Sequence, residues 1–178
     1  MVNELNLKVM PTRKELETFF GNSQLGNAIT RRFGWYELAK ELGLQIKDSD
    51  TTLGKEYEYK IKEKLEEIGY QVIKMKQNYP YDLLVDGVKI DVKVSNIGHY
   101  NIGSFYSFRI GKDYSTCDIY IFVAINDDGG ESIYIIPSVE LLNNVQVSVG
   151  GKTSKYDKYI DRFDILDRYI KFNKDILK

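Results

Sequence analysis

One segment of this chain is more informative than the rest: Pro80-Tyr81-Asp82-Leu83-Leu84-Val85-Asp86-Gly87-Val88-Lys89-Ile90-Asp91-Val92-Lys93. An Asp-Gly pair between two β-rich runs is a strong signal for a hairpin with a two-residue turn, whose central residues need positive φ. With Asp86 and Gly87 in the turn, Asp82 faces Asp91 across the two strands. Because strand side chains alternate between faces, Lys93 shares the face of Asp91. The segment therefore predicts that two carboxylates and one amine converge.

Two directly opposed carboxylates repel each other and destabilise a sheet. A divalent cation between Asp82 and Asp91 would remove this repulsion, and carboxylate oxygens suit Mg²⁺ or Mn²⁺. Lys93 would then hold an attacking water or a phosphate oxygen on which charge develops. The alternative is an exposed hairpin face on which the two carboxylates are merely solvated, since a register shift of one residue would separate them.

The segment before the hairpin predicts a helix from Gly54 to Ile68 that ends at Gly69. Its apolar stripe, at spacings of three and four, consists of Tyr57, Ile61, Leu65 and Ile68. Glu58 lies on the same stripe, so its carboxylate is predicted to point towards the sheet. The alternative is a boundary residue near the start of the helix, where the carboxylate reaches water and the helix dipole favours it.

The rest of the chain predicts a small helical module over residues 1–48 and a second domain over residues 53–178, with a polar junction at 48–52. Three helices are expected in the module: 13–20 capped by Thr12, a second from Ser23 to Phe33, and a third from Trp35 to Leu42. The strands expected in the second domain are 70–75, 82–85, 88–94, 104–110, 119–125 and 132–136. A short helical piece follows at 139–142, and the charged tail from 152 onwards is interpreted either as a modest basic surface or as a solvated helix.

The composition excludes some classes of site and partner. The chain has one Cys and one His, which rules out an internal disulfide framework and leaves too few soft ligands for structural zinc. Any metal is therefore expected on oxygen ligands. The net charge of -1 argues against a passive, histone-like DNA-binding protein. No apolar run approaches the about 18 residues of a membrane span, so we expect a cytoplasmic protein that does not bind membranes.

The order of these motifs resembles a known family. The series Gly54-x-x-x-Glu58, Gly69, Pro80-x-Asp82 and Asp91-x-Lys93 is similar to the PD-(D/E)XK nuclease core of archaeal Holliday-junction resolvases and restriction enzymes. Tyr81 separates the Pro from the Asp, which departs from the usual motif. The later segments 117–123 and 134–138 also resemble core strands of this superfamily, particularly in a group that contains intron-encoded homing endonucleases. The resemblance covers residues 54–137 and implies an α/β, restriction-endonuclease-like core with a mixed central β-sheet flanked by helices.

The resemblance also implies roles for individual residues. Asp82 and Asp91 would be ligands of Mg²⁺, for which Mn²⁺ would substitute, and the backbone carbonyl of Val92 would be a further ligand. Lys93 would position the water or stabilise charge, and Glu58 would bind or orient the metal through water. The implied reaction is hydrolysis of a phosphodiester by metal-activated water.

Four further residues are candidates for contacts with DNA. Arg31 and Arg32 lie in the segment 29–44, which resembles a short repeat attached to homing endonucleases. His99 lies in a glycine-marked loop at 96–103, and Arg109 on a predicted strand suits phosphate through its fork of donors. The alternatives are a plain helical cap on the core for the first pair and solvated surface positions for the other two residues.

These residues support three hypotheses about function. The first is a sequence-recognising endonuclease, of homing or restriction type, that acts on double-stranded DNA. Because one site cuts one strand, cutting both strands implies a homodimer or homotetramer. The second hypothesis is a structure-selective Holliday-junction resolvase, and the third is a non-catalytic DNA-binding protein that keeps a nuclease-like fold.

Overall fold

The computed structural model describes residues 8–46, 50–76, 79–111, 115–150 and 154–176. The chain forms two compact units, Met1–Lys55 and Glu56–Lys178. The boundary between the units falls inside a helix, whereas the sequence predicts a polar junction at 48–52. Residues 47–49 of this segment lie outside the described part of the chain.

The first unit contains three short helices: α1 (Arg13–Phe20), α2 (Gln24–Arg32) and α3 (Trp35–Glu41). Thr12 caps α1 as predicted, because its hydroxyl accepts from the Glu15 backbone N–H at 3.2 Å and the Glu15 carboxylate accepts from the Thr12 N–H at 2.8 Å. Ser23 makes no side-chain cap of α2. The Asn22 side chain instead accepts a hydrogen bond from the Gln24 N–H at 3.0 Å.

The first unit has its own small core. Its buried members are Met10, Leu16, Ile29, Ala39 and Leu44, and Trp35, Leu38 and Ile46 pack against them. The Trp35 indole donates to the Pro11 carbonyl at 3.0 Å. Leu42 is 43% exposed because it lies beyond the end of α3, where the chain turns at Gly43.

Helix α4 (Asp50–Ile68) begins four residues before its predicted start at Gly54 and ends, as predicted, at Gly69. A glycine inside a helix costs only about 1 kcal/mol relative to alanine, so Gly54 does not stop the helix. The buried side chains on α4 are those of Tyr57, Glu58, Ile61 and Leu65. Ile68, in the last position of the helix, is 50% exposed, contrary to its predicted place on the buried stripe.

The second unit is built on a five-stranded mixed sheet with the order β1-β2-β3-β6-β7. Its strands are β1 (Val72–Lys74), β2 (Leu83–Val85), β3 (Val88–Asn96), β6 (Ile119–Ile125) and β7 (Glu131–Pro137). β3 and β6 are parallel, and the other neighbours are antiparallel. The structure confirms the predicted register of the hairpin, in which Val85 pairs with Val88 and Leu83 with Ile90.

Helices complete the second unit. α5 (Asp164–Ile176) packs against β3 and β7 and buries Ile165, Leu166 and Ile170. The Tyr57 hydroxyl on α4 donates to the Glu131 carboxylate at the start of β7. Two short 3-10 turns, Ser138–Leu141 and Asp157–Tyr159, join the remaining segments. The predicted fold class, a mixed central sheet flanked by helices, is confirmed.

A second, three-stranded antiparallel sheet has the order β4-β5-β8, formed by β4 (Gly98–Tyr100), β5 (Gly103–Arg109) and β8 (Gln146–Val149). The sequence predicts a loop at 96–103, but β4 and β5 form a hairpin there, in which Gly103 has φ 131°. The sequence does not predict β8, whose Val147 and Val149 are buried opposite Phe108 and Tyr106. Among the described residues, no helix is both long and apolar enough to cross a membrane.

Candidate active site

The four residues predicted to form the site come from three neighbouring elements. Glu58 lies on α4, Asp82 immediately precedes β2, and Asp91 and Lys93 lie on β3. Glu58 is 7% exposed and Asp91 is 3% exposed, and these are the buried charged residues in the described part of the chain. Burying a carboxylate is costly unless it is paired and hydrogen-bonded, so the fold must supply partners here.

Two lysines provide these partners. The Lys93 ammonium contacts the Asp91 carboxylate, whose side chain is 4% exposed. The Lys74 ammonium on β1 contacts the Glu58 carboxylate, and both side chains are about nine-tenths buried. Lys74 is not among the predicted site residues, since an edge-strand lysine is expected to be solvated. Its cross-strand pairing with Leu83, next to Asp82, could have identified it once the hairpin register was extended to β1.

Asp82 departs from the predicted geometry. The paired residues of β2 and β3 end at Leu83 and Ile90, and the Asp82 N–H donates to the Ile90 carbonyl at 2.9 Å. The predicted cross-strand pair of Asp82 with Asp91 is therefore not part of the ladder. The Asp82 carboxylate accepts from the Val92 N–H at 2.8 Å, so it lies against the backbone of the strand that carries Asp91 and Lys93.

The electrostatics of the cluster are unbalanced. The three carboxylates of Glu58, Asp82 and Asp91 face two ammonium groups, those of Lys74 and Lys93, which leaves one negative charge in excess. Burial, with the charges of Asp91 and Glu58, raises the pKa of Asp82 to about 6, while Lys93 and the Val92 N–H oppose this shift. The surroundings of Asp82 thus disfavour its ionised form.

Lys93 remains cationic in this environment. Burial works to lower the pKa of its ammonium group, but the charge and hydrogen bond of Asp91, together with the charge of Asp82, more than offset this, and the pKa is raised. Lys93 is therefore suited to act as a positive point charge and not as a base.

The donor set is compatible with a hard divalent cation. The described residues hold no ready-made group of three or more Asp, Glu, His or Cys side chains for a metal ion. Mg²⁺, however, is usually held by one or two carboxylates, and water and substrate oxygens complete its shell. Asp82 and Asp91 supply the carboxylates, and the Val92 carbonyl lies 3.5 Å from the Lys93 ammonium. A cation would also remove the excess negative charge.

Comparisons with other proteins bear on the fold. No family model matches the sequence. No curated protein matches it either. Among solved structures, the bacterial homing endonuclease I-Ssp6803I is similar, with a TM-score of 0.57 and 15% sequence identity over 73% of this chain and 99% of that chain. The fold resembles that of a homing endonuclease. At this level of identity the likeness concerns the fold alone.

The other four predicted residues lie on other elements. Arg31 and Arg32 lie in the last turn of α2 in the first unit. Arg109 is exposed at the end of β5, where it pairs with Gln146 of β8. His99 on β4 is also exposed, and its Nδ1 and Nε2 lie 2.8 Å from the Ser104 hydroxyl and the Asp127 carboxylate. The ion pairs that the structure describes in the cluster, Lys74–Glu58 and Lys93–Asp91, involve none of these four residues.

Proposed function

We propose that this chain is a metal-dependent DNA endonuclease of the PD-(D/E)XK type that hydrolyses phosphodiester bonds in double-stranded DNA. The observation that carries the proposal is the buried Asp91 carboxylate beside the Lys93 ammonium, with Asp91 and Glu58 close enough to Asp82 to perturb its ionisation. The fold, which is similar to that of a bacterial homing endonuclease, supports the same interpretation. Recognition of a specific sequence, as in homing or restriction enzymes, is part of the proposal.

In this proposal Asp82 and Asp91 hold Mg²⁺, for which Mn²⁺ substitutes, and the Val92 carbonyl is a further ligand. A bound Mg²⁺ would lower the pKa of the attacking water and offset the charge that develops on the phosphate. Glu58 orients the metal through water, and its pairing with Lys74 keeps its carboxylate fixed against the sheet.

Lys93 has a separate role. Its ammonium group is positively charged, and a neighbouring cation would weaken its attraction to Asp91. The freed ammonium would hold a phosphate oxygen or the attacking water, because a charge aimed at the site of developing negative charge stabilises the transition state.

The second sheet offers a surface for DNA. Its outward side carries Arg109, Gln146, Ser107 and Ser148, and the sequences of β4, β5 and β8 contain no Asp or Glu. Arg and Gln are the side chains that form paired hydrogen bonds with guanine and adenine edges in the major groove. The Ser107 N–H donates to the Ser95 hydroxyl at 3.2 Å, which ties this sheet to the strand that carries Asp91 and Lys93.

Other contacts would position the duplex. We propose that Arg109 contacts DNA on this sheet and that Arg31 and Arg32 contact phosphates. A DNA contact through His99 would replace its hydrogen bond to Asp127. Because one such site cuts one strand, double-strand cleavage would require a homodimer or homotetramer.

The test is cleavage of supercoiled plasmid, linear genomic DNA and a four-way DNA junction by the wild type and by Asp91→Ala, with Mg²⁺, Mn²⁺ or excess EDTA. EDTA is expected to abolish cutting. Asp91→Ala is expected to slow cutting by more than about a hundred-fold, because even the loss of a residue that only orients a metal ligand lowers metal affinity or activity by about 10- to 100-fold. Asp175→Ala, which removes an exposed carboxylate from α5, is the matched control and should cut like the wild type.

The outcomes separate the competing functions. Discrete fragments from genomic DNA would support sequence recognition. Cleavage confined to four-way junctions would replace the proposal with a junction resolvase. If the wild type cuts neither linear, supercoiled nor four-way DNA with any metal, the chain is not a nuclease and a non-catalytic DNA-binding protein takes its place.

A further inference from the structure

Tyr120 lies beside the candidate active site without a role in the reaction described above. In the parallel pair of β3 and β6, Tyr120 pairs with Asp91 and Phe122 with Lys93. Neighbouring residues in register project from the same face of a sheet, so the Tyr120 side chain shares the face of the Asp91 carboxylate. Tyr120 is 1% exposed.

The Tyr120 hydroxyl makes no hydrogen bond of normal geometry to the residues that the structure describes. Among the described residues, its oxygen is the buried side-chain nitrogen or oxygen atom that lacks a hydrogen bond. Ser115 and Cys117 lie close enough to influence it, but neither makes a hydrogen bond of normal geometry to it, and the Ser115 hydroxyl donates to the Cys117 carbonyl at 2.7 Å. A buried, unsatisfied hydroxyl destabilises a fold, whereas a phenyl ring would fill the same space without this cost. Such an atom in a native protein calls for an explanation.

The surroundings of this hydroxyl favour a donor. Burial raises the pKa of Tyr120 well above its usual range, and the neighbouring Cys117 and the charge of Asp91 raise it further. The group therefore keeps its proton and can donate but gains nothing by ionising. The buried carboxylate whose negative charge reaches it is that of Asp91, one oxygen of which is in contact with Lys93.

We propose that Tyr120 is a positioning residue whose hydroxyl donates a hydrogen bond to the Asp91 carboxylate when a bound cation has weakened the contact between Asp91 and Lys93. The inference rests on the proposed function. It explains why the protein keeps a destabilising hydroxyl in the metal-free state: the hydroxyl becomes a further donor to Asp91 when the contact with the Lys93 ammonium weakens. Groups that hydrogen-bond to metal ligands fix their orientation and raise metal affinity.

The test compares Tyr120→Phe with the wild type by calorimetric titration with Mn²⁺ in the absence of DNA, and by thermal unfolding in EDTA. We expect Mn²⁺ affinity to fall by about 10- to 100-fold, while the Tm of the metal-free protein stays equal or rises. The control is Tyr134→Phe on β7, which removes a hydroxyl from a buried tyrosine that pairs with Phe122 and not with Tyr120. Its Mn²⁺ affinity should match that of the wild type.

Two results would overturn the role of Tyr120 alone. The first is unchanged Mn²⁺ affinity in a Tyr120→Phe variant whose parent binds the metal. The second is a clear fall in the Tm of the metal-free variant, which would mean that the hydroxyl is already bonded there. If the wild type itself binds no Mn²⁺ or Mg²⁺, the proposed function fails, and the role of Tyr120 fails with it.

Discussion

At the scale of single residues, the cluster is held by charges that depend on one another. Lys74 and Glu58 form an ion pair whose side chains are 11% and 10% exposed. Lys74 also lies over the ring of Tyr59, 4.9 Å from its centroid. Removing one member of a buried ion pair destabilises the folded protein by more than the net contribution of the pair, because the remaining charge stays buried without its opposite charge.

We therefore expect Lys74→Met to destabilise the protein by about 3–5 kcal/mol, since the buried Glu58 carboxylate would lose the ammonium group with which it forms an ion pair. Urea unfolding at neutral pH measures this change. The control is Lys60→Met on the same helix as Glu58, which breaks the exposed Lys60–Glu56 pair of 2.9 Å and should cost about 1 kcal/mol or less. Equal effects of the two substitutions would mean that Glu58 finds water in the absence of Lys74.

Protonation of Asp82 makes the stability of the folded protein depend on pH. Its pKa of about 6 in the folded protein lies above the ordinary 3.8, so the folded state binds this proton more tightly than the unfolded chain. The stabilisation due to protonated Asp82 is complete below the ordinary value and is lost as the pH rises through about 6. At neutral pH, ionised Asp82 thus works against the metal-free fold, and a bound cation would reverse that effect.

At the scale of elements, the β2–β3 hairpin sets the geometry of the site. Its turn residues Asp86 and Gly87 have φ values of 46° and 89°, the left-handed conformation that the Asp-Gly pair favours. The turn fixes which residues of β2 and β3 pair, and a shift of one position would move Asp91 and Lys93 to the opposite face.

Gly87→Ala is expected to destabilise the protein by about 1–2 kcal/mol, because an L residue in the left-handed region crowds its own Cβ against the backbone. Gly54→Ala on α4 is the matched control, since a Cβ there has nothing within 4 Å and should stabilise the helix by about 1 kcal/mol. Chemical denaturation of both variants measures the difference. If Gly87→Ala leaves the free energy of unfolding unchanged, the turn does not require positive φ at this position.

At the scale of the whole molecule, the proposed reaction needs DNA contacts spread well beyond the four residues of the site. The net charge of -1 gives no general attraction to a polyanion, so local groups must supply it. Arg31 and Arg32 end α2, where the chain has two adjacent guanidinium groups.

For the variant with both Arg31→Ala and Arg32→Ala we expect weaker binding to duplexes of any sequence. The slope of log affinity against log salt should fall by about two, because each arginine is proposed to neutralise one phosphate. Fluorescence anisotropy over a range of NaCl concentrations provides the measurement. Lys14→Ala, an exposed cation on α1 of the same unit, is the control. An unchanged slope in the double variant would remove these arginines from the DNA interface.

Much of the fold follows from short-range chemistry in the sequence. The Thr12 cap, the Asp86–Gly87 turn, the apolar run of β6 and its pairing with β7 all depend on residues close together along the chain. The alternation of the hairpin also placed Asp91 and Lys93 on one face, because the side-chain period of a strand is two.

The tertiary structure alone decided features that join distant segments. The four residues of β8 are too few to show a period, and they form a strand because Val147 and Val149 are buried opposite Phe108 and Tyr106. The ion pair of Lys74 with Glu58 joins β1 to α4, and it forms only when tertiary packing brings these two elements together. The same holds for Tyr120, which pairs with Asp91 on the neighbouring strand and whose buried hydroxyl makes no hydrogen bond of normal geometry among the described residues. Turn chemistry and alternation act within a few residues, whereas burial and charge pairing depend on which segments the folded chain brings together.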